Sequence, residues 1–227
     1  MNYLADIIAI LKKEWPDNRL VNIVCHGHSV PSGYFKTPTV DTMNSYPHLL
    51  HAQLAGWFPN AVINVIVTAI GGENSESGAA RFEQEVLTHR PDVLTIDYGL
   101  NDRWIGLEKA RASWASMIEK ALVRQIKVIL LTPTGDLTAS LDDANDPLNQ
   151  QAEQIRSLAR EYQIGLADSL AATIGYVHGV HPLDDLMSQG NHPNRRGHDL
   201  VVQELLKWFH EGGIGLIYPI THSRHST

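Results

Sequence analysis

The chain has 227 residues, one cysteine and a formal net charge of −7 at pH 7. That length suits a single α/β domain spanning 1–227, with no shift of composition to mark a second. Its scattered Lys and Arg form no basic stripe for nucleic acid, Arg195-Arg196 being too short. No apolar run approaches the roughly 20 residues that span a bilayer, so no membrane partner is expected.

From the N-terminus, Leu4, Ile7, Ile8, Leu11 and Trp15 recur at helical intervals with Asp6, Lys12, Lys13 and Glu14 between them. This predicts an amphipathic helix at about 3–14 and not a signal peptide, whose charge precedes an uninterrupted apolar stretch. Next, the apolar run from Val21 breaks at Gly27 and delivers Ser29 just past the break. Such a run reads as a buried parallel strand, and open parallel sheets place ligands at the carboxyl ends of their strands. Cys25 lies inside this strand, which excludes an intrachain disulfide and points to an inert thiol in a reducing, cytoplasmic compartment.

Four further β-type runs follow at 61–68, 93–98, 127–132 and 164–168, with helical sequence at 46–58, 78–89, 107–125 and 148–162 between them. The last helix, at about 195–210, carries Val201, Val202, Leu205, Leu206 and Phe209 as one stripe, with Asn194 as its N-cap. Residues 212–227 read as a peripheral tail. Alternating strands and helices predict a parallel sheet with right-handed crossovers and helices on both faces, a three-layer α/β/α sandwich. Two long connections, 26–45 and 133–146, leave the carboxyl edge and are candidate substrate walls.

A serine that attacks a carbonyl needs a base, oxyanion donors and rigid placement. His192 lies in Gly190-Asn191-His192-Pro193-Asn194, where Pro193 keeps it extended and outside the helix that Asn194 caps. Gly71-Gly72 ends the second strand run and Gly99-Leu100-Asn101-Asp102 the third, offering backbone N–H groups and a side-chain amide that could join the Ser29 N–H in an oxyanion hole.

Four blocks in this order, Gly27-His28-Ser29, Ala69-Ile70-Gly71-Gly72-Glu73-Asn74-Ser75, Gly99-Leu100-Asn101-Asp102 and His192-Pro193-Asn194, resemble those of the SGNH hydrolases, also called the GDSL esterase/lipase superfamily. The resemblance covers roughly residues 20–210. It implies Ser29 as nucleophile, His192 as base, and the Ser29 N–H, Gly72 and Asn101 as the oxyanion hole. It also implies a flavodoxin-like five-stranded sheet of order 2-1-3-4-5 and ester hydrolysis without a cofactor.

Two positions depart from the family pattern: His28 stands where Asp is usual, and Gln189 stands three residues before the histidine where the triad carboxylate is usual. That carboxylate fixes the histidine tautomer and stabilises the imidazolium. Three readings are open: a dyad in which the Gln189 side-chain or backbone carbonyl accepts from the imidazole, a carboxylate recruited from Asp184 or Asp185, or an impaired enzyme. The first is preferred, since a carbonyl can still choose the tautomer. Asp97, in the third strand run, needs a partner if buried, and a contact with His28 that stiffens the nucleophile turn is expected.

The other candidates have structural readings. Neither His26 with His28 nor His178 with His181 matches a metal-ligand signature, so no metal is expected. His198 falls on the last helix as a surface or packing residue, and Asp102 organises its own loop. Trp57, Trp114 and Trp208 lie on apolar faces, whereas Trp104 comes just after the asparagine block. The leading expectation is a serine esterase acting through an acyl-enzyme on short-chain or acetyl esters, such as acetylated carbohydrates, with a small-molecule ester as its partner. An acyltransferase on the same site and a noncatalytic ligand-binding module are the alternatives.

Overall fold

The computed structural model describes residues 2–210; the tail expected at 212–227 lies outside the described residues. Five strands, β1 (Leu20–Gly27), β2 (Val62–Val67), β3 (Val93–Asp97), β4 (Lys127–Leu131) and β5 (Gly165–Ala167), form an all-parallel sheet in the order β2-β1-β3-β4-β5. Each falls within a residue or so of its expected bounds, and the order is the one the family resemblance implies.

Parallel neighbours need crossovers, and helices supply them. In chain order they are α1 (Ala5–Leu11), α2 (Ser29–Ser32), α3 (Tyr46–Trp57), α4 (Ser75–Glu85), α5 (Gly99–Asp102), α6 (Leu107–Leu122), α7 (Pro147–Tyr162), α8 (Ser169–His178) and α9 (Arg195–Leu206). The helix α1 is shorter than expected and leaves Trp15 exposed. The helix α4 starts at Ser75 and not 78, because the Asn74 side chain accepts from the Ser77 N–H and caps it there. The helix α8 was not anticipated, although its signals are present: the Asp168 side chain accepts from the Ala171 N–H, and Leu170, Thr173, Ile174 and Val177 follow at helical spacing.

Period-two alternation along the strands divides the core into two layers. On one face Val21, Ile23 and Cys25 of β1 and Ile129 and Leu131 of β4 meet Ile7 and Leu11 of α1, Leu50 and Leu54 of α3, and Val201 and Leu205 of α9. On the other, Val24, Leu94, Ile96, Val128 and Leu130 meet Phe82 of α4, Trp114 and Met117 of α6, and Ile155 and Leu158 of α7. Each large apolar side chain so buried contributes about 1.5–3 kcal/mol relative to exposure. Trp114 is fully buried, Trp57 and Trp208 are partly buried against the first layer, and Trp104 is 82% exposed. No helix among the described residues is long and apolar enough to cross a membrane.

Beyond the carboxyl edge, β6 (Met187–Gln189) pairs antiparallel with β7 (His192–Pro193) across a bulge, with Gln189 opposite His192. This small ladder and the loop after α2 carry the polar groups of the site.

Candidate active site

Ser29 opens α2 directly after β1 and is nearly buried. Its turn is bound to both neighbouring strands: the His28 N–H donates to the Asp97 carbonyl at 3.2 Å, and the Ile70 N–H donates to the Gly27 carbonyl at 3.0 Å. Gly27 permits this approach, since a Cβ there would stand 2.5 Å from the Asp97 carbonyl oxygen. Sheet register thus brings the serine, glycine and asparagine blocks to one edge.

His192 Nε2 lies 3.0 Å from Ser29 Oγ. Its Nδ1 lies 2.9 Å from the main-chain carbonyl of Phe35, an acceptor with no proton to give. A proton on Nδ1 would satisfy that carbonyl and leave the Nε2 lone pair for the Ser29 hydroxyl. Burial lowers the His192 pKa below the ordinary imidazole value, with the Phe35 carbonyl opposing that shift and His28 adding to it. A neutral imidazole facing a serine hydroxyl is the pairing that general-base activation needs.

The acceptor on Nδ1 is not the one expected at position 189. The Thr37 N–H donates to Gln189 Oε1 at 2.9 Å, which turns the other end of the amide, Nε2, toward His192 Nδ1 at 2.9 Å. Asp185 accepts instead from the Tyr176 hydroxyl at 3.2 Å, and Asp184 is exposed on a 3-10 turn. Among the described residues no carboxylate hydrogen-bonds to His192. Sequence reasoning missed Phe35, Thr37 and Tyr34, and a main-chain carbonyl carries no side-chain signature by which to find it.

His28 caps the nucleophile turn. Its Nδ1 accepts from the Val30 N–H at 3.2 Å and lies 3.5 Å from Ser29 Oγ. Its Nε2 faces Asp97 Oδ1 at 3.4 Å, a buried contact without hydrogen-bond alignment. The expected meeting of His28 and Asp97 is therefore present as proximity. Tyr46 packs beside the same carboxylate, and burial, with Asp97 adding, holds its hydroxyl well above the ordinary phenol value.

The glycine and asparagine blocks are joined to each other. Gly72 has φ of +83° at an exposed turn, and the Asn101 side-chain amide donates to the Glu73 carbonyl at 2.7 Å. Gly71 lies against the Tyr34 ring, whose centroid is 6.1 Å from that of His192, so the glycine turn and the histidine share a wall. Asp102 organises its surroundings as expected: its carboxylate accepts from the Ser75 N–H at 2.8 Å and the Trp114 indole N–H at 2.6 Å, and its carbonyl accepts from Gln151 at 3.0 Å. Asp136 in the β4 loop accepts from Arg103 at 2.7 Å, and the Leu137 N–H donates to the Gly190 carbonyl at 2.8 Å, which ties that loop to the asparagine and histidine blocks.

Three other histidines take structural places. His26 meets Thr68, Gly78 and Tyr98 behind the sheet edge, and His178 meets Asp142. His198 is fully buried, with Nδ1 accepting from the Tyr46 N–H. Burial pushes the Cys25 thiol up to about 12, consistent with an inert side chain.

A flavodoxin-like parallel sheet with a hydrogen-bonded serine and histidine on separate carboxyl-edge loops defines an α/β protein of hydrolase type. A profile of the GDSL-like lipase/acylhydrolase family matches residues 25–200, and the chain belongs to that family. It is a hydrolase acting on ester bonds. An acetylxylan esterase of Geobacillus stearothermophilus is 25% identical over 164 residues, covering 66% of this chain and 74% of that one. A crystal structure of an acetylxylan esterase from the same organism superposes with a TM-score of 0.73 at 20% identity, over 83% of this chain and 94% of that chain. A two-domain esterase active on acetylated mannans superposes with a TM-score of 0.75 at 19% identity, over 97% of this chain and 58% of that chain.

Proposed function

We propose that this protein is a serine esterase that removes short acyl groups, acetyl above all, from carbohydrate hydroxyls through an acyl-enzyme. Ser29 Oγ attacks the ester carbonyl while His192 Nε2 takes its proton, and the imidazolium then protonates the departing alcohol. Water, deprotonated by the same nitrogen, releases the acid. The oxyanion is held by the N–H groups of Ser29 and Gly72 and by the second proton of the Asn101 amide, the first being engaged on Glu73. The observation that carries this reading is the 3.0 Å contact of Ser29 Oγ with a histidine whose other nitrogen faces a carbonyl.

The acetyl and carbohydrate preference is supported by the names of the similar proteins, an acetylxylan esterase and an esterase active on acetylated mannans. Two structures of the Geobacillus esterase carry serine-to-alanine and histidine-to-alanine substitutions described as catalytic, which supports the pairing of residue types. The test is pre-steady-state hydrolysis of p-nitrophenyl acetate, butyrate and octanoate beside Ser29→Ala, followed by acetate release from acetylated xylo- and manno-oligosaccharides. The expected result is a burst with acetate that Ser29→Ala abolishes, falling rates with chain length, and acetate release from the oligosaccharides. Equal slow rates in both proteins would overturn the mechanism; octanoate as the best substrate would overturn the acyl preference.

A further inference from the structure

The donors and acceptors around His192 Nδ1 do not match. Phe35 presents a carbonyl to this nitrogen and requires a proton there, whereas Gln189 presents an amide N–H₂ at the same 2.9 Å and would require a lone pair. The amide cannot turn over freely, because its Oε1 accepts from the Thr37 N–H at 2.9 Å and its Nε2 donates to Thr37 Oγ1 at 3.2 Å. Thr37 lies two residues beyond Phe35, so this two-point grip fixes the stretch of loop that delivers the Phe35 carbonyl.

We propose that the Phe35 carbonyl holds His192 in its reactive tautomer, and that Gln189 is a positioning residue that keeps this carbonyl in place by clamping Thr37. The inference rests on reading Ser29 and His192 as nucleophile and base. Gln189 does not accept from the imidazole. It brings the positive end of its amide dipole to Nδ1, and so disfavours the imidazolium that a carboxylate at that position would favour. The titratable groups facing the ring are His28 from the nucleophile turn, Tyr34 from the loop beyond it and His198 from α9. None of them is an acid of carboxylate strength, so removing the amide donor and adding a carboxylate changes the local field in one direction.

Gln189→Glu keeps the side-chain length and an acceptor for the Thr37 N–H while offering an oxygen to Nδ1–H. The expected result with p-nitrophenyl acetate is an acid limb of kcat/KM displaced upward by about one to three pH units, as for a charge partner within hydrogen-bond distance. Gln189→Ala removes the clamp without supplying a charge. It is expected to lower kcat by up to about 10²-fold, the scale of loss when a catalytic group is displaced by an ångström, with KM little changed and an upward displacement of the limb smaller than that of Gln189→Glu. Imidazole ¹⁵N shifts, assigned to His192 with a His192→Ala control, are expected to show the proton on Nδ1 in the wild type. Thermal melts of each variant separate misfolding from mispositioning.

A Gln189→Glu profile superimposable on the wild type, or ¹⁵N shifts placing the proton on Nε2, would overturn the inference while Ser29→Ala remains inactive. Wild-type turnover by Ser29→Ala would instead remove the reading beneath it, and the inference with it.

Discussion

His192 combines a lowered pKa with a hydroxyl on one nitrogen and a carbonyl on the other. A base works in its neutral form, so depressing the pKa widens the active range downward: kcat/KM is expected to stay level at neutral pH and to fall only as pH drops through a value below the usual 6.5 of histidine. A pH profile with p-nitrophenyl acetate checks this, and an acid limb above that value would contradict it. His28 offers a second prediction. Restoring the more usual family residue by His28→Asp places a second carboxylate against buried Asp97, and an uncompensated buried charge of this kind costs about 3–5 kcal/mol. Urea denaturation is expected to show destabilisation on that scale, substantially relieved in the double variant His28→Asp, Asp97→Asn, because neighbouring sites are not additive.

The short helix α5 holds the asparagine block by hydrogen bonds that reach three other elements. Asp102 is fully buried, and its carboxylate satisfies the Ser75 N–H at the start of α4 and the indole of Trp114 in α6, while Gln151 of α7 binds its carbonyl. Burial raises the Asp102 pKa, opposed by the Ser75 and Trp114 donors. Asp102→Ala orphans two buried donors at about 1–3 kcal/mol each, so a loss of about 2–6 kcal/mol in urea unfolding is expected. The same change is expected to lower kcat more than KM, since Asn101 precedes it and the Ser75 contact anchors the glycine block. A stable variant with unaltered kcat would show that α5 is held by other contacts.

Across the whole molecule, each face of the sheet has a histidine whose burial makes protonation costly. His26 packs near Phe82 and Tyr98 on one side of the sheet, and His198 packs near Phe35 and Tyr46 on the other. Each is lowered to about 3, by burial first, with Arg81 adding for His26 and Arg195 for His198. Between that value and the unfolded 6.5 the unfolded chain binds the additional proton, so stability is full above about pH 6.5 and is lost progressively as pH falls toward 3. Each residue contributes a slope approaching about 1.4 kcal/mol per pH unit within that window. Urea unfolding at successive pH values is expected to show the loss, with a shallower slope in His198→Gln; an unchanged slope in that variant would assign the acid sensitivity elsewhere.

Strand and helix periods, together with Gly27-His28-Ser29 and His192-Pro193-Asn194, were enough to read the parallel sheet and the two side chains that meet across its edge. Apolar periodicity follows directly from which faces must leave water, and a cap or a proline acts within a few residues of itself. The helix α8 was legible in principle, from Asp168 and the spacing that follows it. What tertiary structure alone decided was the environment of the histidine. The acceptor on Nδ1 is the main chain of Phe35, 157 positions away, delivered by a loop whose conformation depends on a clamp between Thr37 and Gln189. Every residue but proline offers the same main-chain carbonyl and N–H, so no residue type marks the one that is used; only the folded path of the chain brings it within 2.9 Å.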